Sequence, residues 1–514
     1  MGRDPLTIGV IFERMRTVHG DACVSDPEGS RTYREVGERV LRLVTVLREL
    51  GVGPGDRVAT FAVNTTRHLE LYFAVPLAGA VLHTVNTRLH PDQIRFVLDA
   101  ADDRLVFADP DLLDRLPASA ERSVVTLDGD YEARLAAAAP ATELAEVGED
   151  DACGMCHTSG TTGQPKAVVY SHRSTVLHAM AACMVDHLAL GQRDVVLPVV
   201  PLFHACGWGL PYAAPFTGAD LVLPGADTSP GHLGRVIANH GVTFAAGVPT
   251  IWTQLLPLAQ AGAVDLSSLR TIGIGGSATP LALLEAYDEL GVEVLQIWGM
   301  TETSPLACTS RPRRRHRGLG DAELRAVRAK TGTIWAGLSA RIVSAEGDEL
   351  PWDGVAVGEL ECRGPWVATA YHDDPGLGDR FHDGWLRTGD LAVMEPDGVF
   401  TIVDRAKDLV KSGGEWISSV ELEGHVLAHP GVREAAVVGV RSERWDERPV
   451  VVVAPADPAV GAPSLADLRE FLADRVPRWW LPDDVVEVAE VAKTSVGKLD
   501  KKALRAALAD RVLP

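Results

Sequence analysis

The chain has 514 residues, 46% of them hydrophobic and 23% charged, with a formal net charge of −21. At roughly 150 residues per domain this length predicts about three lobes, and the composition excludes a disordered chain. An acidic surface repels phosphate backbones unless a strong local basic patch offsets it, so the charge argues against a nucleic-acid partner and any anionic ligand must be held by local donors.

The opening MGRDPLTIGVIFERM has no basic segment followed by an apolar one, so no secretory signal is read. Seven cysteines, sparse and odd in number, fit reduced thiols and a cytoplasmic location. TYREVGERVLRLVTVLREL places apolar residues at helical spacing, GVGPGD is a turn and RVATFAV a short buried strand, an alternation that predicts sheets covered by helices. Cys153 and Cys156 form a C-x-x-C pair without a second pair to complete a zinc site, and they read as thiols packed in a buried strand.

The stretch His157 to Arg173, HTSGTTGQPKAVVYSHR, is a Gly- and hydroxyl-rich loop between apolar runs. Gly160 and Gly163 let backbone N–H groups turn toward an anion, while Ser159, Thr161, Thr162 and Lys166 add donors and a positive charge. Such a loop suits polyphosphate. It is not a Walker loop, because Lys166 lies between Pro165 and Ala167 instead of in Gly-Lys-Ser/Thr. A flexible linker is the alternative for the loop taken alone.

Residues 195–216 are the most apolar stretch, but four prolines and a histidine break it, which argues against a membrane span. The alternation continues through DVVLPVV, PGHLGRVIANHG, VTFAAG, LRTIGIGGSATPLALLEAYDEL and VEVLQIWG. Gly273, Gly275 and Ala278, with Glu293 further on, fit a dinucleotide-binding fingerprint. A dehydrogenase does not require the separate phosphate loop, and the NAD(P) reading is set aside for that reason. The basic run from Arg311 to Lys330 is either a solvated face or a device that steers anions. Residues 336–400 read as a small β lobe. Domain limits are expected at 1–403, a hinge at 404–408, and a C-terminal unit over 409–514.

Further clusters bear on chemistry. In IWGMTETSP, Trp298 can stack on a base, Thr301 can bond a phosphate oxygen and Glu302 can hold Mg²⁺. RTGD places Asp390 where a carboxylate can accept both hydroxyls of a ribose. DRAKDL precedes the Gly-rich KSGGEWISSVELE, and KTSVGKLDK sets Lys498 beside Gly497 on a turn. Each is weak alone, and their joint occurrence in this order carries the weight.

Together these motifs resemble the acyl-CoA synthetase branch of the adenylate-forming enzymes, over nearly the whole chain. PLFHACGWGLPYAAP, GVPTIW and SGGEWISSVELE are most similar to the medium- and long-chain fatty acyl-CoA synthetases. The resemblance implies an α/β fold: a large N-terminal domain of two α/β subdomains plus a β lobe, hinged to a small mobile C-terminal α/β domain. It implies ATP-dependent activation of a carboxylic acid, medium-chain or compact, to acyl-AMP with release of pyrophosphate, then transfer to CoA. ATP, Mg²⁺ and CoA are the cofactors implied, and a homodimer is compatible.

By the same resemblance Ser159 to Lys166 take the pyrophosphate, Trp298 the adenine, and Asp390 with Arg405 the ribose. Thr301, Glu302 and Lys498 serve the α-phosphate, and Lys407 is the pivot. His204, Trp208, Gly275 and Ile297 line the acyl site, and Gly413, Gly414 and Trp416 meet CoA. Four departures stand out: His157 in place of an aromatic residue, Ala167 in place of Gly, Cys206 in place of Asn, and Ala492 in place of Pro. Cys206 and His157 leave the acid and the acceptor open. An adenylating ligase that passes its acyl group to an amine or a carrier protein, and a catalytically silent nucleotide-binding protein, are the competing readings.

Overall fold

The computed structural model describes residues 4–158, 164–372, 380–413, 415–494 and 497–513. Ser159, Gly160, Thr161, Thr162 and Gly163 of the phosphate loop, and Gly414, lie outside the described residues.

The helix Tyr33–Glu49 shows how the sequence writes its elements. The Thr32 hydroxyl accepts from the Glu35 N–H while the Glu35 carboxylate accepts from the Thr32 N–H, closing a capping box. Val36, Val40, Leu43, Val44 and Leu47 recur on the buried face. Left-handed Gly51, with φ of 83°, ends the turn.

Among the described residues the strands form three sheets. The first has six strands, in the order Ser123–Thr126, Leu105–Ala108, Arg57–Phe61, Val81–Thr84, Ala152–His157 and Ala167–Ser171. All neighbours are parallel except the last two, a hairpin in which Cys156 faces Val168 and His157 faces Ala167. The second sheet has fourteen strands. Its parallel centre runs Glu293–Gly299, Thr271–Gly275, Phe244–Gly247, Val195–Pro198, and at the other end the antiparallel strands of the expected β lobe join it through Leu306–Thr309 and Gly332–Ile334. The third, five-stranded sheet begins with Val410–Ser412, so sheet membership changes between Arg405 and Val410, a span that overlaps the expected 404–408 hinge.

The C-terminal unit has cores of its own. Val437, Val451 and Val453 pack with Leu422 and Leu468 on one face of its sheet, and Val438, Val450 and Val452 pack with Leu504 on the other. This is the two-residue alternation of a strand buried on both sides.

The register corrects one sequence pattern. Thr271 pairs with Glu293 and Gly275 with Ile297, so Glu293 sits at the end of the strands remote from the glycines. Its carboxylate accepts from the Thr271 hydroxyl and from Arg311. The dinucleotide fingerprint is a coincidence of spacing. Within the basic run, Arg313 and Arg315 meet Asp397, Arg328 meets Asp288, and Lys330 meets Glu395.

Candidate active site

Three strands of the second sheet converge on Asp390. Trp298 comes from Glu293–Gly299, Asp390 from Trp385–Met394, and Arg405 ends Val399–Arg405 as the register partner of Asp390. The indole N–H of Trp298 donates to Asp390 Oδ2 at 2.9 Å, and Arg405 Nε donates to Oδ1 at 3.1 Å. Asp390 in turn raises the Arg405 guanidinium above its ordinary value. The Trp298 ring stands at 90° to Phe400, with centroids 5.9 Å apart.

Beyond Gly299 the chain makes a short turn over Thr301–Thr303 that buries the Glu302 side chain. The Tyr371 hydroxyl donates to Glu302 Oε1, and Arg380 Nη2 lies 3.7 Å from the same oxygen. The Tyr170 hydroxyl donates to the Thr301 carbonyl at 2.9 Å. The neck of the phosphate loop is closed by Thr158 and Lys166. Thr158 N–H donates to the Lys166 carbonyl at 2.8 Å, and Lys166 N–H donates to Thr158 Oγ1 at 3.2 Å. The Lys166 ammonium lies 5.2 Å from the centroid of the Tyr371 ring.

Lys498 arrives from the C-terminal unit. A β-carbon on Gly276 would lie 3.0 Å from Lys498 Cε and one on Gly497 3.5 Å from Val248 Cγ2, so the turn docks on the large domain. Gly276 has φ of 91°, a conformation and a clearance that only glycine combines. Burial pushes the Lys498 ammonium down to about 8, and Arg405 adds to the fall while Asp390 and Glu302 oppose it. A lysine from the last twentieth of the chain thus shares one electrostatic environment with Arg405, Asp390 and Glu302. His204 belongs to that environment: burial, Lys498 and Arg88 hold its imidazole down at about 3, so it is neutral.

The acyl-site candidates meet at a turn of unusual hand. Ala205, Cys206, Gly207, Trp208 and Gly209 all have positive φ, from 36° to 73°. A left-handed turn costs roughly 1–2 kcal/mol for each non-glycine residue, and Gly207 and Gly209 relieve it at two of five positions. Trp208 is carried back over Gly275, where a β-carbon would lie 3.1 Å from Trp208 Cη2 and 2.8 Å from the Ile297 carbonyl oxygen. Trp208, Gly275 and Ile297 are therefore neighbours. Cys206 Sγ lies 3.8 Å from the Thr84 hydroxyl.

His157, at the mouth of the phosphate loop, ends a chain of polar groups. Its Nδ1 meets His83 Nε2 at 2.9 Å, and His83 Nδ1 donates to Asp103 Oδ2 at 2.6 Å. Burial, with His83 and His372 adding, pushes the His157 imidazole down to about 2.

Gly413 and Trp416 lie elsewhere. Trp416 is half exposed on the hairpin of Val410–Ser412 and Glu415–Ile417, with the Lys411 ammonium 5.1 Å from its ring centroid. Gly413 has φ of 62° and packs on Trp445, where a β-carbon would come within 2.7 Å of the indole. An open groove of about 870 Å³ runs beside them, lined by Lys411, Gly413, Arg441, Arg444, Trp445 and Asp446 among others. Lys407, the expected pivot, is exposed, between the Ala406 N–H that donates to the Gly389 carbonyl at 3.1 Å and the Asp408–Arg505 ion pair. Sequence reading missed Tyr371, Tyr170, Arg380, His83, Asp103 and Trp445, none of which stands in a spacing that signals chemistry.

Comparison with known proteins matches residues 11–372 to the AMP-binding enzyme family and residues 421–498 to the AMP-binding enzyme C-terminal domain. The chain is 45% identical to a long-chain-fatty-acid–CoA ligase of Thermus thermophilus, over 92% of this chain and 89% of that protein. It is 41% identical to a medium-chain-fatty-acid–CoA ligase of Ectopseudomonas oleovorans, over 100% of this chain and 98% of that one. Among solved structures, the anthranilate CoA ligase AuaEII with anthranoyl-AMP superposes with a TM-score of 0.88 at 25% identity, covering 98% of this chain and 97% of that chain. ATP-bound MatB from Rhodopseudomonas palustris gives 0.86 at 27%, covering 99% of both.

Proposed function

Because the chain belongs to the family of AMP-binding enzymes, we propose that it is an ATP-dependent acid–CoA ligase that forms an acyl-adenylate and passes the acyl group to CoA. The observation that carries the reading is the convergence of Lys498, from the C-terminal unit, with Arg405, Asp390, Glu302 and neutral His204. The similarity to long- and medium-chain-fatty-acid–CoA ligases supports CoA over an amine or a carrier protein as acceptor.

A carboxylate is a poor electrophile, and its attack on the α-phosphorus of ATP brings two anions together. One carboxylate oxygen bonds to phosphorus, the bond to the bridging oxygen breaks, and pyrophosphate leaves. Lys498 and Thr301 stabilise charge gathering on the α-phosphoryl oxygens, and pre-placed donors in a site shielded from water act at full strength there. His204, neutral, donates a hydrogen bond to the incoming acid without adding a competing charge. Asp390 and Arg405 hold the ribose, Trp298 packs along the adenine, and Lys166 with Ser159 to Gly163 takes the pyrophosphate.

Glu302 fits Mg²⁺ in a particular way. Among the described residues no cluster of three His, Cys, Asp or Glu side chains is assembled to hold a metal, and Mg²⁺ commonly binds through one or two carboxylates plus substrate phosphates and water. One buried carboxylate matches an ion that arrives with ATP. Glu302 would hold it, and the ion would neutralise charge on the departing pyrophosphate.

In the second half-reaction the CoA thiol attacks the acyl carbonyl, AMP leaves, and the thiol proton is released. Gly413, Gly414, Trp416 and the adjoining Trp445 groove would then meet CoA, which requires the C-terminal unit over 409–514 to turn about 404–408 and withdraw Lys498. On the acid side, Ile297 and Trp208 bounding Gly275 favour a medium-length or compact acyl chain. Pyrophosphate exchange into ATP, screened over short, medium, long and aromatic acids and followed by mass detection of CoA, amine and carrier products, tests the reading. Exchange with no acid in the panel would refute it.

A further inference from the structure

The segment 364–372 touches both halves of the site. The Ala368 N–H donates to the Glu302 carbonyl at 2.8 Å, and the His372 N–H donates to the Ala167 carbonyl at 2.9 Å, one residue from Lys166. Tyr371 lies between these anchors and is 8% exposed. Its ring carries the Lys166 ammonium on one side and packs edge-on against Phe381 at 5.2 Å between centroids. Its hydroxyl donates to Glu302 Oε1. One side chain therefore holds the cation at the neck of the phosphate loop, in the first sheet, and the carboxylate that follows the strand Glu293–Gly299, in the second.

We propose that Tyr371 is a positioning residue for adenylate formation, fixing the separation of Lys166 and Glu302 and orienting the Glu302 carboxylate. The inference rests on the reading of Glu302 as the carboxylate that meets Mg²⁺–ATP. A glutamate has rotatable bonds to spare, and a carboxylate that serves an ion must present an oxygen in a fixed direction. The Tyr371 hydroxyl occupies Oε1, with Arg380 at 3.7 Å on the same side, and among the described residues no group donates to Oε2. That oxygen is the one left for the ion. The ring serves Lys166 separately, by attraction of an ammonium to an aromatic face. Tyr170 is a second tie between the same two sheets, but its hydroxyl bonds to the Thr301 backbone carbonyl and to neither charged group.

The two contacts come apart by substitution. Tyr371→Phe removes the hydroxyl and keeps the ring, and Tyr371→Leu removes both. ATP binding to the intact protein is measured by calorimetry across a Mg²⁺ titration, pyrophosphate binding is measured in parallel, and thermal unfolding is recorded for each variant. The Mg²⁺ concentration at half-saturation should rise about tenfold in Tyr371→Phe, the order expected for losing a hydrogen bond to a charged group, with unfolding and pyrophosphate binding unchanged. Tyr371→Leu should weaken pyrophosphate binding as well. Glu302→Gln is the reference: it should abolish the Mg²⁺ dependence of ATP binding. If Glu302→Gln keeps that dependence, the reading of Glu302 is wrong and the inference falls with it. If Glu302→Gln loses it and Tyr371→Phe titrates like the unmodified protein, Glu302 stands and Tyr371 has no positioning role.

Discussion

The indole N–H of Trp298 donates to Asp390 Oδ2 at 2.9 Å, tying the residue proposed to stack on adenine to the residue proposed to hold the ribose. A phenylalanine or tyrosine ring at 298 would stack but has no donor at that point. Trp298→Phe should therefore raise KM for ATP about tenfold, the scale of a hydrogen bond to a carboxylate, with KM for the acid unchanged. Steady-state pyrophosphate exchange measures both, and an unaltered ATP KM would show that Arg405 alone suffices to fix Asp390.

The pH dependence follows from Lys498. In the protein without nucleotide its ammonium is held down to about 8, below the ordinary lysine value of 10.5, chiefly by burial. The proposed role needs the charged form, so kcat/KM for adenylate formation should fall as pH rises through about 8. Linkage runs in the opposite sense. Between about 8 and 10.5 the docked lysine has lost a proton that the undocked one keeps, so docking of the C-terminal unit grows more favourable with rising pH. Lys498→Arg should move the falling limb of the rate profile upward, and no limb should occur near 6.5, because His204 is already neutral there.

At the acid end, Gly275 sits against Trp208 and the Ile297 backbone with no room for a methyl group. Gly275→Ala should displace the indole and change KM for the acid severalfold while KM for ATP holds, and Trp208→Ala should behave the same way. Ile297→Gly should shift the preferred acyl chain upward, since each added buried methylene is worth about 0.8 kcal/mol. A chain-length series run with all three variants separates a shared pocket from independent packing defects: an unchanged profile in Ile297→Gly would remove that residue from the acyl site.

Lys498→Ala should slow adenylate formation by roughly 10²–10³, the usual cost of losing one pre-placed donor, yet leave conversion of supplied acyl-AMP to acyl-CoA largely intact. Lys407→Pro should show the reverse pattern, because proline fixes φ at a residue that must reorient. Rapid-quench measurement of each half-reaction in each variant decides the matter. Equal loss of both steps in Lys498→Ala would be incompatible with an alternating C-terminal unit.

Much of this site was legible because its parts are short local strings. Asp390 in RTGD and Lys498 beside Gly497 could be named without coordinates, and the helical and strand periods located the elements that carry them. What escaped was whatever depends on register. Nothing in the sequence ties Tyr371 to Glu302, 69 positions apart, or joins His83 to both Asp103 and His157. The false dinucleotide fingerprint failed for the same reason. Spacing put Glu293 at a plausible distance along the chain, and pairing with Thr271 put it at the wrong end of the strand.

The base and ribose are proposed to rest on side chains of regular strands, whereas the acid would meet a mirror-handed turn in which Ala205, Cys206 and Trp208 already occupy costly backbone territory. Innovation in most enzymes draws down folding margin, because new pocket residues are worse packed than the old. Here the slope would be reversed at Cys206. At Cys206, asparagine or glycine would ease the left-handed backbone and change a side chain beside the proposed acyl site, whereas Trp208 is buried and its loss would leave a cavity that outweighs the relief.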